Sequence, residues 1–166
     1  MTLRSILTLT AADLMSRDLV VIPREMSLRS AAHRLAQSRI SGAPVVDGTG
    51  RCVGVLSSTD FLRCVEKGKT TAEPEAWNPD YCSDWAVPDI EALPTDSVAG
   101  FMTRNLVTVP PAIGIGALAE RMLDAHIHRV IVVNEQHKPI GVVSATDILA
   151  AVARADRVAH EQPLTV

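Results

Sequence analysis

Gly54-Val55-Leu56-Ser57-Ser58-Thr59-Asp60 returns 87 residues later as Gly141-Val142-Val143-Ser144-Ala145-Thr146-Asp147. Working outward from this heptapeptide, residues 12–63 lie over 99–150 without a gap, and 17 of the 52 positions are identical. Val45-Val46 meet Val132-Val133 in the same register. A supersecondary unit that occurs twice seldom buries its apolar face alone, so the two copies are expected to pack on each other. The expectation is one pseudo-symmetric domain with sites in the cleft between its halves.

Each copy reads in the same order. A short β-branched run, Leu19-Val20-Val21-Ile22 or Leu106-Val107-Thr108-Val109, is closed by a proline. Ser27 then caps a helix whose apolar face is Leu28, Ala31, Ala32 and Leu35. The twin has Ile115, Leu118, Ala119 and Met122 on that face, but Gly114 at the cap, so a looser start is expected. Two strands follow, Pro44–Val46 and Cys52–Leu56, joined by the turn signal Asp47-Gly48-Thr49-Gly50. Val130–Val133 and Ile140–Val143 are their partners, linked through Asn134 to Pro139. Thr59 and Thr146 are placed to cap the closing helices, the second of which should run well past Ala155. Short helices are expected before each copy, over Thr10–Met15 and Asp96–Met102. The fold class is therefore α+β (α/β), two pseudo-symmetric β-α-β-β-α repeats in one module, with repeat one at 10–68, an insert at 69–95 and repeat two at 96–156.

The stretch from 66 to 96 holds eight acidic residues, among them Glu73, Asp80 and Glu91, against Lys67 and Lys69. It also holds Trp77, Tyr81 and Trp85, three of the five aromatics of the chain. Disordered linkers are poor in such residues, so an ordered excursion packed on the domain is expected. The whole chain has 166 residues, 47% apolar and 21% charged, with a net charge of −3. That is long enough to bury roughly 70% of the unfolded surface in one domain. With an acidic balance and no basic run, neither a nucleic-acid nor an anionic-membrane surface is expected. The first ten residues carry no secretory pattern and no apolar run approaches a membrane span, which points to the cytoplasm. Cys52, Cys64 and Cys82 lack a C-x-x-C pair, so neither a disulfide framework nor a zinc site is expected.

The paired segments Met15–Val21 and Met102–Thr108, Ser41–Asp47 and His128–Asn134, and Gly54–Asp60 and Gly141–Asp147 together resemble a tandem cystathionine-beta-synthase (CBS) domain pair. The resemblance covers nearly all of residues 10–155 apart from the insert. It implies a regulatory module and no enzyme, one that senses an adenosine-containing ligand, AMP, ADP or ATP, and assembles as a homodimer. It also implies that the signal passes to a separate protein effector. S-adenosylmethionine is the alternative ligand, and a ligand-free interaction or dimerisation module is the alternative function.

The residues themselves admit two readings at each site. A glycine within a strand lets a ligand or another backbone come close. Ser57 with Asp60, and Ser144 with Asp147, stand where a strand turns into a helix, and there they cap the helix or receive the hydroxyls of a ribose. The resemblance assigns these four residues to the ribose side, and Thr59 and Thr146 of the same motif are counted with them as ligand-binding residues. Val20, Ile22, Ile40, Ala43 and Pro44 in one copy, and Val107, Val109, Ile127, Val130 and Ile131 in the other, form an adenine wall or simply core. His128-Arg129 stand where the first copy has Ser41-Gly42. The pair resembles the phosphate-contacting residues of the family, since arginine forks onto phosphate and histidine gains charge near neutral pH. A solvated basic pair is the other reading. Leu35, Met122, Leu123 and Leu149 are the apolar helix residues expected at a dimer face.

Overall fold

The computed structural model describes residues 6–66 and 90–160. The elements in chain order are α1 (Ala11–Leu14), β1 (Ile22–Pro23), α2 (Leu28–Gln37), β2 (Gly42–Val46), β3 (Cys52–Ser57) and α3 (Ser58–Glu66). The second copy supplies β4 (Thr108–Val109), α4 (Ile115–Asp124), β5 (Arg129–Val133), β6 (Pro139–Ser144) and α5 (Ala145–His160). Each copy forms a three-stranded sheet, with β1 parallel to β2 and β2 antiparallel to β3, then β4, β5 and β6 likewise. The fold is the mixed α/β arrangement read from the repeats, down to a matching irregularity at Val45/Val46 and Val132/Val133.

The chain divides into two compact units that cut across the sequence repeats. One is contiguous, Val20–Leu106; the other joins the chain up to Leu19 with Val107 onward. The leader of each copy therefore packs in the unit of the opposite copy. In the contiguous unit, Leu93 and Val98 join Ile22, Leu28, Val45 and Leu56 in one core. In the discontinuous unit, Ala11 and Met15 join Val109, Leu118, Val130, Val132 and Val143, while Ile6 packs with Ile115, Ala151 and Ala155.

The glycine of the repeated heptapeptide makes this exchange possible. A Cβ on Gly54 would stand 2.8 Å from Met102 Sδ and 2.9 Å from the Thr103 carbonyl oxygen. On Gly141 it would collide with Cβ, Cγ and Sδ of Met15. Thr103 and Val55 exchange both backbone hydrogen bonds, at 3.0 and 2.9 Å, and Ser16 does the same with Val142 at 2.9 and 3.1 Å. Of the two readings of this glycine, close approach of another chain segment is the one observed.

Helix ends follow side-chain chemistry. Ser27 accepts from the Ser30 amide, whereas Gly114 gives α4 no side-chain cap, as expected. Both α2 and α4 close with paired bonds, Ile40 N to Leu35 O with Arg39 N to Ala36 O, and Ile127 N to Met122 O with His126 N to Leu123 O. This closure needs a left-handed residue, and Arg39 and His126 occupy it at φ 53° and 52°. The last helix runs past Ala155 to His160.

Three expectations are corrected. The first strands are shorter than read, because only Ile22 and Pro23 find partners in β2, at Val45 and Val46, and Thr108 and Val109 are limited in the same way. Before copy two there is a 3₁₀ turn, Val98–Gly100, in place of a helix over Asp96–Met102. Its counterpart α1 is held by a capping box in which Asp13 accepts from the Thr10 amide and hydroxyl, and Gly100 replaces that Asp. Thirdly, Thr59 and Thr146 lie inside the first turns of α3 and α5, and the caps are Ser57 and Ser144.

Trp77, Tyr81, Trp85 and Cys82 lie outside the described residues. The end of the insert is described. Ile90–Ala92 form one 3₁₀ turn beside α2, Leu93 is fully buried, and Arg29 Nη2 donates to the Leu93 carbonyl at 3.0 Å. Among the described residues no helix is long and apolar enough to cross a membrane.

Candidate functional site

In both copies a strand runs into a helix without an intervening loop, so the last strand residue becomes the helix cap. Ser57 donates its amide (2.8 Å) and hydroxyl (2.9 Å) to Asp60 Oδ2. Ser144 does the same to Asp147 Oδ2, at 2.7 and 2.6 Å, and its Oγ accepts from the Asp147 amide at 3.2 Å. In copy two this is a full capping box with aspartate at the third helical position, and in copy one Asp60 makes the matching bonds back to Ser57. One carboxylate oxygen in each copy is thereby committed to the fold.

The second oxygen separates the copies. Asp60 Oδ1 accepts from Thr103 Oγ1 at 2.8 Å and lies 3.4 Å from Arg63 Nη1, and the Asp60 side chain is 1% exposed. Beside the strand that leads to Asp147, Ser16 takes the place that Thr103 has beside Asp60, and Ala150 stands in place of Arg63. Ser16 is exposed, Asp147 is half-buried, and among the described residues Asp147 Oδ1 has no donor. Two carboxylates of the same motif thus differ in what they can still accept.

The basic pair lies against the same helix start. Arg129 faces Ser144 across the antiparallel β5–β6 pair, and the His128 carbonyl accepts from the Ala145 amide at 2.9 Å. Both side chains are exposed at the first turn of the 16-residue α5, where helix amides favour an anion. In copy one Gly42 faces Ser57, and a Cβ there would meet the Leu56 carbonyl oxygen at 3.0 Å. That crowding leaves no easy place for a basic side chain.

The apolar residues divide by burial. Ile22, Ala43, Pro44, Val109, Val130 and Ile131 are buried in their cores, while Val20, Ile40, Val107 and Ile127 are half-buried and keep an accessible edge. Beside Ile127 and His128, a cavity of about 460 Å³ runs between α4 and α5, walled by Met122, Leu123, Ala145 and Ile148. A larger cavity of about 650 Å³ lies at the far end of that sheet, between Pro110 and the Asn134–His137 turn, and of the expected residues it touches Val109 alone. Leu123 and Leu149 are 72% and 67% exposed, but Leu35 and Met122 are buried within their own units and are not available to a dimer face.

Sequence reasoning missed Thr103 and Arg63, which come to Asp60 from 43 residues away and from one helical turn on. The only signal was the recurrence of Met-Ser and Met-Thr at the 87-residue offset. Burial pushes the Cys52 thiol up, against a nucleophilic role, and no three His, Cys, Asp or Glu among the described residues are grouped to hold a metal.

Family comparison reproduces the repeat. The CBS domain model matches residues 11–67 and again 98–154. The chain belongs to the CBS domain family. It is 25% identical over 137 residues to a homoserine O-acetyltransferase of Methanohalobium evestigatum, covering 82% of this chain but only 23% of that protein. The CBS pair thus spans about a quarter of the length of that relative. Among solved structures it is similar to the CBS domain pair of protein MJ0100 in complex with 5′-methylthioadenosine and S-adenosyl-L-methionine, with a TM-score of 0.67 at 21% identity over 89% of this chain and 98% of that one. It is also similar to CBSX2 in complex with AMP, with a TM-score of 0.68 at 22% identity over 89% and 98%. At these identities the likeness carries the fold.

Proposed function

We propose that this CBS pair is a regulatory ligand-binding module, itself without catalytic activity, that takes an adenosine-containing nucleotide (AMP, ADP or ATP) at its second repeat. The observation that carries the reading is the Asp147 carboxylate, with one oxygen anchored by Ser144 and the other without a donor among the described residues. It stands next to two exposed basic side chains at a helix start. An anchored carboxylate accepts well from a ribose hydroxyl, and Arg129 and His128 supply the charge for phosphate. The accessible edges of Val107 and Ile127 offer an apolar surface for the base. Two structural neighbours with adenosine-bearing ligands, AMP in one and S-adenosylmethionine in the other, support that ligand class for this chain. The bound module is read as a cytoplasmic homodimer, joined in part through Leu123 and Leu149, that reports to a separate protein.

Calorimetry tests this. AMP should bind the parent, and Asp147→Ala should lose about 1.5–3 kcal/mol, the value of a hydrogen bond to a charged group. Arg129→Ala should lose about 1–3 kcal/mol with AMP and almost nothing with adenosine. Equal affinity of parent and both variants would return the residues to helix capping and surface charge. Binding of S-adenosylmethionine without AMP would move the assignment to that ligand.

The exposed Leu62, Leu123, Leu149 and Val152 favour a second reading, a ligand-free interaction module. A thermal scan separates the two, since a nucleotide at 100 times its dissociation constant adds about 2.7 kcal/mol and a module without a site gains nothing.

A further inference from the structure

The two copies carry the same Ser-x-Thr-Asp sequence, yet the aspartates are in opposite states. Asp60 is sealed: Ser57 holds Oδ2, the Thr103 hydroxyl donates to Oδ1 at 2.8 Å, and Arg63 adds a cation at 3.4 Å. At 1% side-chain exposure no solute hydroxyl reaches it while that arrangement holds. Thr103 is itself fixed, because its amide and carbonyl are both paired with Val55. The Met102 side chain fills the space over Gly54 next to it. Among the described residues the Thr103 hydroxyl makes the shortest bond to Oδ1, whereas the Arg63 side chain, 57% exposed, lies at 3.4 Å. At the second site Ser16 keeps the same backbone pairing with Val142, but among the described residues no bond joins its hydroxyl to Asp147.

We infer that Thr103 is an internal stand-in for a ligand hydroxyl, which keeps the first repeat closed and limits the chain to a single nucleoside site. The inference rests on the proposed role of Asp147 and extends it to stoichiometry. A neutral hydroxyl donating to a carboxylate is the same interaction that a ribose would make, so an intramolecular donor competes directly for the oxygen. Because Thr103 is tethered by two backbone bonds, it competes without losing translational freedom, whereas a free nucleoside must lose it. Ligand then binds where the tethered donor is missing.

Equilibrium dialysis with radiolabelled adenosine, which needs no phosphate contact, tests the inference on the full chain. Thr103→Ala removes the hydroxyl, opens the space it fills beside Asp60 and keeps the backbone pairing. The expected result is one additional adenosine per chain relative to the parent. Thr103→Gly serves as a second removal should the alanine variant fold poorly by circular dichroism. The number bound by the parent reads the proposed function, and the difference between variant and parent reads the lock. A parent with no site and a variant with one would sink the former and support the latter. Equal numbers in parent, Thr103→Ala and Thr103→Gly would overturn the inference, as would two equivalent sites in the parent.

Discussion

Replacing Asp60 by alanine is expected to destabilise the protein far more than replacing Asp147, although both belong to the same motif. The Asp60 side chain accepts three well-formed bonds, from the Ser57 amide and hydroxyl and from Thr103, at 2.8–2.9 Å. Loss of the helix cap alone costs about 0.5–2 kcal/mol. Leaving the Thr103 hydroxyl without its acceptor, in a part-buried place, adds about 1–2 kcal/mol. Arg63 adds little, since its side chain is 57% exposed and such pairs are worth about 0–1 kcal/mol. The total for Asp60→Ala is about 2–4 kcal/mol, against about 0.5–2 kcal/mol for Asp147→Ala, which loses the cap only. Urea unfolding followed by far-ultraviolet circular dichroism measures the difference. With a slope of about 2–3 kcal/mol per molar, a 3 kcal/mol loss moves the midpoint down by about 1–1.5 M. A double-mutant cycle of Asp60→Ala with Thr103→Val should give a coupling of about 1 kcal/mol. Equal midpoints for the two alanine variants, or a coupling near zero, would refute the assignment of Asp60 to the fold.

Arg39→Gly and His126→Gly should each raise stability by up to about 1 kcal/mol, because a side chain in the left-handed region costs about 1–2 kcal/mol, part of which glycine forfeits in backbone entropy; unchanged or lower melting temperatures would contradict this. Gly54→Ala should destabilise by about 1–3 kcal/mol through collision with the Thr103 carbonyl and Met102, seen as a lower urea midpoint at unchanged slope, and wild-type stability would count against the close approach. Asp47, held by the Thr49 hydroxyl and the amides of Thr49 and Arg51, has its carboxyl lowered below the ordinary carboxylate value. The stability it contributes is present above the unfolded value near 3.8 and is lost as pH falls through the lower folded value. Asp47→Asn, which copies Asn134 at the matching turn, should leave the midpoint at pH 7 nearly unchanged and shallow the acid loss below about pH 4; an unchanged acid limb would remove Asp47 from it. Leu123→Asp with Leu149→Asp should shift sedimentation toward monomer at micromolar concentration with the circular dichroism spectrum retained, and an unaltered dimer would place the interface elsewhere.

The repeat made most of the fold legible, because local patterns determine it. The continuous apolar run Val130–Val133, the Asp47 and Asn134 turns and the Ser27 cap each act within a few residues, and each stands where read. The misplaced caps have a local cause as well: no loop separates strand from helix, so Ser57 and Ser144 serve as the last residue of one and the cap of the other. What the sequence hides are contacts between distant segments. Nothing near Gly54 announces Met102, and nothing near Asp60 announces Thr103. The cores also claimed residues that periodicity alone could assign to a ligand wall, since Ile22, Val109 and Val130 look identical as sequence whether they face a base or Leu28 and Leu118. The unlike states of Asp60 and Asp147 come from residues 43 positions downstream and 131 upstream, beyond the reach of any pattern.

The crossing of leaders and units also sets an order of assembly during synthesis. The contiguous unit is complete once Leu106 has left the ribosome, and every segment it needs is already outside. The other unit begins earlier and finishes later: Gly141, the residue that Met15 packs on, emerges 126 residues after Met15 itself. At about 5–20 residues per second, the 35 residues from Leu106 to Gly141 take roughly 2–7 seconds. Through that interval Ile6, Ala11 and Met15 are an apolar segment whose packing partners have yet to emerge, tethered to a finished neighbour and exposed until the second sheet forms.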